Sequence, residues 1–261
     1  MLEAPSTLSP SRVEAFTTCP MAFRFASIEH LPEQPTVHTV KGSLVHRALE
    51  LLFVNPPDRR TRQHAEAALD RAVHDFAAAL EALHAGEEFR ADAWSLIESY
   101  LAMEDPSQVR AIGLELRLAA QAGDLQLRGI IDRLDLDDDG ELIVIDYKTG
   151  RPPWPNRELR SLGAVHFYAF LCEQVLGRMP KAIRLVYLRD GLTITAHPSP
   201  QSVRFITTKA HAVWRAIEQA CATDGFQPRP SGLCSGCGFQ RWCPAFGGDP
   251  SRAAAELLVP A

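Results

Sequence analysis

Ile143-Val144-Ile145-Asp146-Tyr147-Lys148-Thr149-Gly150 is an apolar run that ends in a carboxylate and an ammonium two residues apart. Successive side chains of a strand point to opposite faces, so Asp146 and Lys148 share one face. Just upstream, Gly129-Ile130-Ile131-Asp132-Arg133-Leu134-Asp135 carries a further carboxylate inside an apolar run. A short hairpin across Asp137 to Gly140 brings Asp132 beside Asp146. Ile112 to Ala119 has the same alternation and is separated from Leu125 to Leu136 by Gly123-Asp124, which predicts three consecutive strands in a meander. After the Pro-rich stretch Pro152 to Pro155, a helix is expected from about Arg157 to Leu176. Ala182 to Arg189 and Leu192 to His197 then flank Asp190-Gly191, a hairpin signal.

Ahead of the strands the period is helical. Ser11 precedes Glu14 by three residues in a capping-box pattern, and Val13, Phe16, Phe23 and Phe25 continue a helical segment from Ser9 to about His30 that Pro20 breaks. Leu44, Val45, Ala48, Leu49, Leu51 and Leu52 recur at helical spacing after Gly42. Arg62 to about Ala102 is rich in Ala, Glu and Leu and fits a helical hairpin interrupted near Gly86, with Trp94, Ile97 and Leu101 inward. A last helix covers about Gln201 to Thr223. Strands before and after a helix, behind a helical block, predict an α+β fold with a mixed central sheet, a helical insertion over 53–105 and a cysteine-rich segment over 225–247, all in one domain.

The chain has 261 residues, 46% of them hydrophobic, enough to bury a core. Lys plus Arg number 27 against 32 Asp plus Glu, a net charge of -5, so no global positive field draws the molecule to nucleic acid and any such contact is local. The N-terminal stretch lacks a basic start followed by an apolar run, and no segment has the roughly 20 apolar residues that cross a bilayer. A cytoplasmic protein without membrane contact is expected. Six cysteines are too few for a disulfide scaffold of this length.

Two carboxylates at bonding distance repel unless a cation lies between them. A hard divalent ion such as Mg²⁺ or Mn²⁺ suits oxygen ligands and leaves positions for phosphate oxygens. Lys148 would then orient or help deprotonate the attacking water and stabilise charge building on phosphorus. A single Asp-x-Lys at a strand end is commonly a surface pair, and His46 alone is an ordinary helical histidine; the combination with Asp132 gives both their weight.

Near the C-terminus stands Cys234-Ser235-Gly236-Cys237-Gly238-Phe239-Gln240-Arg241-Trp242-Cys243-Pro244, a Cys-x2-Cys-x5-Cys arrangement. Three thiols so close imply metal, and Cys19, followed by Pro20, is the best fourth ligand. Cys172 and Cys221 lie in apolar helical stretches, where a free Cys is usually a core residue. Zinc and a [4Fe-4S] cluster both take four thiolates, and spacing alone leaves the metal open.

Gly42-x-x-Val45-His46, Gly129-x-x-Asp132-Arg133-x-Asp135 and Ile145-Asp146-Tyr147-Lys148-Thr149-Gly150 together resemble the successive motifs of RecB-type nucleases of the PD-(D/E)xK superfamily, in order and across most of the chain. The resemblance implies a restriction-endonuclease-like core. It also implies metal ligation by His46, Asp132, Asp146 and the Tyr147 carbonyl, with Lys148 as catalytic lysine and Glu115 as an additional acid nearby. The family's Gln-x-x-x-Tyr helix is matched at Tyr168, but Ala164 stands at the Gln position, where His166 or Arg160 is a candidate substitute. One Cys near the N-terminus with Cys-x2-Cys-x5-Cys at the far end is similar to the iron-sulfur staple of AddB-type and CRISPR-associated RecB-like nucleases. That similarity implies a [4Fe-4S] cluster on Cys19, Cys234, Cys237 and Cys243, with zinc as the alternative.

Arg128, Arg133, Lys148, Arg151, Arg157 and Arg160 gather around the proposed site in sequence and are candidate phosphate contacts. Trp154 and Tyr147 are candidates for stacking on unpaired bases. No Gly-x4-Gly-Lys-Ser/Thr loop is present, so the expected activity works on ends alone or beside a helicase partner. The expected function is a Mg²⁺- or Mn²⁺-dependent deoxyribonuclease, an exonuclease on single-stranded or frayed DNA in repair or recombination, with defence against foreign DNA as the competing context. The alternative is a non-catalytic DNA-binding module on a nuclease-like fold, which Ala164 keeps open.

Overall fold

The computed structural model describes residues 2–152 and 158–257, with the backbone alone for 158–165 and 257. Its elements are α1 (Pro10–Thr18), α2 (Pro20–Phe23), α3 (Val37–Val54), α4 (Arg62–Asp75), α5 (Ala77–Ala82), α6 (Glu87–Met103), β1 (Ala111–Ala122), β2 (Leu125–Leu136), β3 (Leu142–Lys148), α7 (Glu158–Leu176), β4 (Ala182–Tyr187), β5 (Leu192–Ala196), α8 (Pro200–Thr223) and α9 (Ala253–Leu257). The chain divides into two compact units. One comprises Met1–Gln34, Ala119–Arg128 and Arg204–Ala261; the other comprises Pro35–Leu118 and Gly129–Val203.

The five strands are ordered β1-β2-β3-β4-β5. β2 and β3 pair antiparallel, with Arg133 opposite Ile145 and Leu136 opposite Leu142. β3 and β4 pair parallel, with Asp146 opposite Leu185, and β4 returns to β5 antiparallel. A parallel pair needs a long crossover, which α7 supplies. β3 sits at the centre, and every residue from Leu142 to Tyr147 is buried, as a strand covered on both faces requires. The expected mixed sheet flanked by helices is therefore present.

Local sequence explains most element ends. Pro10 opens α1, but the capping residue is Ser9, whose hydroxyl accepts from Arg12 N–H; the expected Ser11–Glu14 box does not form because Ser11 already lies inside the helix. The break near Pro20 falls at Cys19, held extended at φ -154° because a residue before proline avoids the helical region. Helix α3 starts at Val37, seven residues ahead of Leu44, where the apolar spacing begins. Thr36 and Thr39 cap each other's backbone and let the helix begin at Val37.

In the second unit α3 buries Val40, Leu44, Val45, Ala48, Leu49 and Leu52. The core there continues through Leu69 and Ala72 of α4, Ile97 and Tyr100 of α6, and Ile143, Ile145 and Tyr147 of β3. Trp94 and Leu101 are only partly buried. In the first unit Phe16 packs edge-on against Phe23 at 5.3 Å, and Phe25 lies 5.1 Å from Phe239, which ties the cysteine-rich segment to the N-terminal helices. No helix among the described residues is long and apolar enough to cross a membrane.

Candidate active site

The β2–β3 ladder stops where the site begins. Its last pair is Arg133 with Ile145, and the next free donor, Tyr147 N–H, bonds the Asp132 side chain at Oδ2 (2.7 Å) instead of a neighbouring backbone carbonyl. Tyr147 therefore presents its N–H to Asp132 and its carbonyl to His46, whose Nε2 lies 3.0 Å away. His46 Nδ1 is 3.5 Å from Asp132 Oδ1. Both ring nitrogens face acceptors, the arrangement of a protonated imidazole. Glu115 completes a group with His46 and Asp132 in which one ligand atom from each lies within 4.8 Å of the others.

Asp146, 5% exposed, is not one of these three but interacts with Asp132 and His46 through its charge. Its Oδ2 is 2.5 Å from Lys148 Nζ, and the Tyr168 phenol donates to its carboxylate. Motif glycines make two of these approaches possible. A Cβ on Gly129 would come within 2.8 Å of Leu171 Cδ1 and 3.2 Å of the Tyr168 ring, so a larger residue would push these α7 side chains, Tyr168 among them, away from β2. A Cβ on Gly42 would stand 3.3 Å from Thr149 Oγ1, where α3 meets the end of β3.

The electrostatics are those of a site short of positive charge. Burial raises the Asp146 carboxyl, against the pull of Lys148, and the Asp132 charge raises it further. Burial and then Asp132 raise Glu115. For His46 burial favours the neutral ring, but the hydrogen bond and charge of Asp132, with Asp146 and Glu115, outweigh it and raise the pKa above its ordinary 6.5. Burial also works against the Lys148 charge, and Asp146 outweighs it. Imidazole nitrogen, carboxylate oxygens and a carbonyl are the donor set of a divalent metal, so the residues fit the ion that the motifs imply.

A pH dependence follows with a definite sign. A histidine whose pKa is raised on folding contributes its full stability below about pH 6.5 and loses it as pH rises through the folded value. In EDTA, wild-type Tm should fall between about pH 6 and about pH 8.5 more than that of Asp132→Asn, in which His46 keeps the burial penalty without the carboxylate. Equal slopes would remove the pair from the account.

Glu115 holds φ at +43°, a left-handed conformation that costs a non-glycine residue about 1–2 kcal/mol. Glu115→Gly should raise stability in EDTA by about 1 kcal/mol, measured by urea unfolding, while Mn²⁺ affinity falls. A variant that is destabilised, or that binds Mn²⁺ as wild type does, would show that the strain serves no metal.

Arg133 corrects a sequence expectation. It is 1% exposed, all five of its N–H donors are taken by protein groups, and it cannot face a phosphate. On β2 it alternates with Asp132 and so points into the core. Its partners Tyr100 and Glu104 lie at the end of α6, a segment that gave no sign of chemistry beyond an aromatic and an acid four residues apart. Arg151 is exposed. Trp154 and Arg157 lie outside the described residues, as do the side chains of Arg160 and Ala164; His166 is partly buried, and its Nδ1 has no partner among the described residues.

In the first unit Cys19, Cys234, Cys237 and Cys243 line one concavity with Met21, Phe25 and Phe239. Burial raises the Cys237 thiol against a hydrogen bond from the Phe239 backbone, and the neighbouring Cys19, Cys234 and Cys243 raise it further. Ser231 N–H points at Cys234 Sγ, 3.3 Å away. Cys172 and Cys221 are buried in α7 and α8.

The family model of the PD-(D/E)XK nuclease superfamily matches residues 7–244. The chain belongs to this superfamily. Its fold is accordingly the restriction-endonuclease-like one, and its chemistry that of a nuclease, which hydrolyses phosphodiester bonds. Among solved structures, one described as "Putative exonuclease" from Eubacterium rectale is 10% identical, with 89% of this chain and 87% of that one covered at a TM-score of 0.56. That likeness is one of fold. SSO0001 is 15% identical over 94% of this chain and 89% of that one, at a TM-score of 0.46. Comparison with curated proteins finds no match.

Proposed function

We propose that this nuclease is a Mg²⁺- or Mn²⁺-dependent deoxyribonuclease of the RecB-like type, acting as an exonuclease on single-stranded or frayed DNA in repair or recombination. The observation that carries the reading is the convergence of His46, Asp132 and the Tyr147 carbonyl with Glu115, together with the Asp146–Lys148 ion pair, whose carboxylate interacts electrostatically with Asp132 and His46. His46, Asp132, Asp146 and the Tyr147 carbonyl would hold the ion, which when bound supplies Lewis-acid stabilisation of the phosphoryl oxygens. Lys148, kept charged by Asp146, lies where it can stabilise negative charge on the phosphate and pass a proton. Tyr168 holds the Asp146 carboxylate in place. Exposed Arg151 is a candidate phosphate contact, and a helicase is a fitting partner for a chain without a phosphate-binding loop.

For the cysteines the reading is a structural [4Fe-4S] cluster. What supports it is that Cys19, Cys234, Cys237 and Cys243 line one concavity, with zinc as the alternative occupant. A bound cluster would join Cys19 to a segment roughly 215 residues away and add folding free energy. A brown anaerobic preparation absorbing near about 400 nm is expected; colourless protein with stoichiometric zinc contradicts the cluster.

End-labelled single-stranded DNA incubated with Mn²⁺ tests the enzymatic reading. Wild type should shorten the label and Asp146→Ala should not. If both are inert, the alternative of a non-catalytic DNA-binding module stands.

A further inference from the structure

Beneath the metal-binding group, on the opposite face of β2, lies a buried polar cluster that the chemistry above does not use. Arg133 Nε donates to Asp135 Oδ1 (2.9 Å) and Oδ2 (3.1 Å), and one terminal nitrogen donates to Asp135 Oδ2 (2.9 Å) and Glu104 Oε1 (3.1 Å). The other donates to the phenol oxygens of Tyr100 (2.9 Å) and Tyr147 (2.7 Å). Tyr100 donates in turn to Glu104 Oε2 (2.6 Å), and the guanidinium stacks 4.3 Å over Phe53. Every donor of the fork is satisfied in a fixed direction, which a lysine's three N–H groups cannot reproduce.

The shortest of the bonds from this fork ends on Tyr147. That residue's N–H is held by Asp132 and its carbonyl by His46, so its ring is the only part of it free to be anchored from below. A buried ion cluster is poor value as a stabiliser, because well-packed apolar residues of similar volume do as well or better. Its directional bonds do, however, fix a peptide that must meet a small ion with little positional tolerance.

We propose that Arg133 is a positioning residue which, through the Tyr147 phenol, fixes the 147 peptide and thereby sets the affinity of the site for a divalent metal. The inference rests on the metal-dependent reading above. Arg133 touches neither metal nor substrate; it acts through the Tyr147 ring on the carbonyl that faces His46 and on the N–H that orients Asp132.

The test titrates Mn²⁺ into the full-length, EDTA-stripped protein, following free Mn²⁺ by electron paramagnetic resonance, with Tm recorded on the same samples. Tyr147→Phe keeps the ring and removes only the anchored oxygen. Its Kd for Mn²⁺ should weaken by about 10–100-fold. In DNA cleavage the Mn²⁺ concentration at half-maximal rate should shift by a similar factor, while the rate at saturating Mn²⁺ changes much less. Arg133→Lys should weaken Mn²⁺ binding in the same direction. Should that variant not fold, Tyr147→Phe alone decides. Asp146→Asn separates the two levels: if it binds Mn²⁺ as wild type does, the metal reading itself fails. If Asp146→Asn loses Mn²⁺ while Tyr147→Phe binds with wild-type affinity, whatever its Tm, the positioning role is overturned and the metal reading survives.

Discussion

Lys148→Met should lower the single-turnover rate of DNA cleavage by about 10²–10⁴-fold at saturating Mn²⁺ and leave Mn²⁺ affinity unchanged or tighter. The split follows from the geometry. Lys148 Nζ is 2.5 Å from Asp146 Oδ2 and is held charged by it, so it neutralises one of the carboxylates that a cation would otherwise claim. Removing the ammonium while keeping an apolar stem takes away a competitor for the metal and the group proposed to stabilise the phosphoryl transition state. Single-turnover cleavage paired with Mn²⁺ titration reads both quantities. A variant that cleaves within about threefold of wild type would mean that Lys148 is a counter-ion and nothing more.

Arg133→Met should destabilise the protein by about 3–5 kcal/mol, because it strands buried Asp135, and partly buried Glu104 beside it, without their cation. Asp135 is already raised by burial, with Arg133 working to lower it, so the variant should take up a proton on folding and regain stability as pH falls through the acid range. Replacing Arg133, Asp135 and Glu104 together by apolar residues of similar volume should recover most of the loss, while Mn²⁺ binding stays weak. Urea unfolding in EDTA measures the first two effects. A loss below about 1 kcal/mol for Arg133→Met would show that the cluster contributes little to the core.

The line between what the sequence reveals and what it hides runs along the face of a strand. Asp146 and Lys148 are legible because period two is a property of any strand, and β3 reads as central because its run is apolar without interruption. Arg133 misleads for the same reason: an arginine beside a metal-ligand aspartate invites a phosphate contact, yet alternation sends it to the other side of β2. Period two alone could have given that answer. Tyr100 and Glu104 had no such signal, since an aromatic and an acid four residues apart on a helix are ordinary until Arg133 is seen between them. Glu115 shows as an acid on the preceding strand, but its left-handed backbone, which turns it toward His46, has no signature in a non-glycine residue. Apolar spacing places the start of α3 too late because the Thr36 cap, which sets it, is polar. The four cysteines line one concavity, whereas the metal they would hold has no signature in their linear arrangement.

The central claim is a divalent cation held by residues of β2, β3 and α3. Anomalous diffraction from crystals of the EDTA-stripped protein soaked in Mn²⁺ addresses it most directly. The expected result is a manganese peak in contact with Asp132, Asp146, His46 and the Tyr147 carbonyl. A peak elsewhere, or none at concentrations that support cleavage, would contradict it.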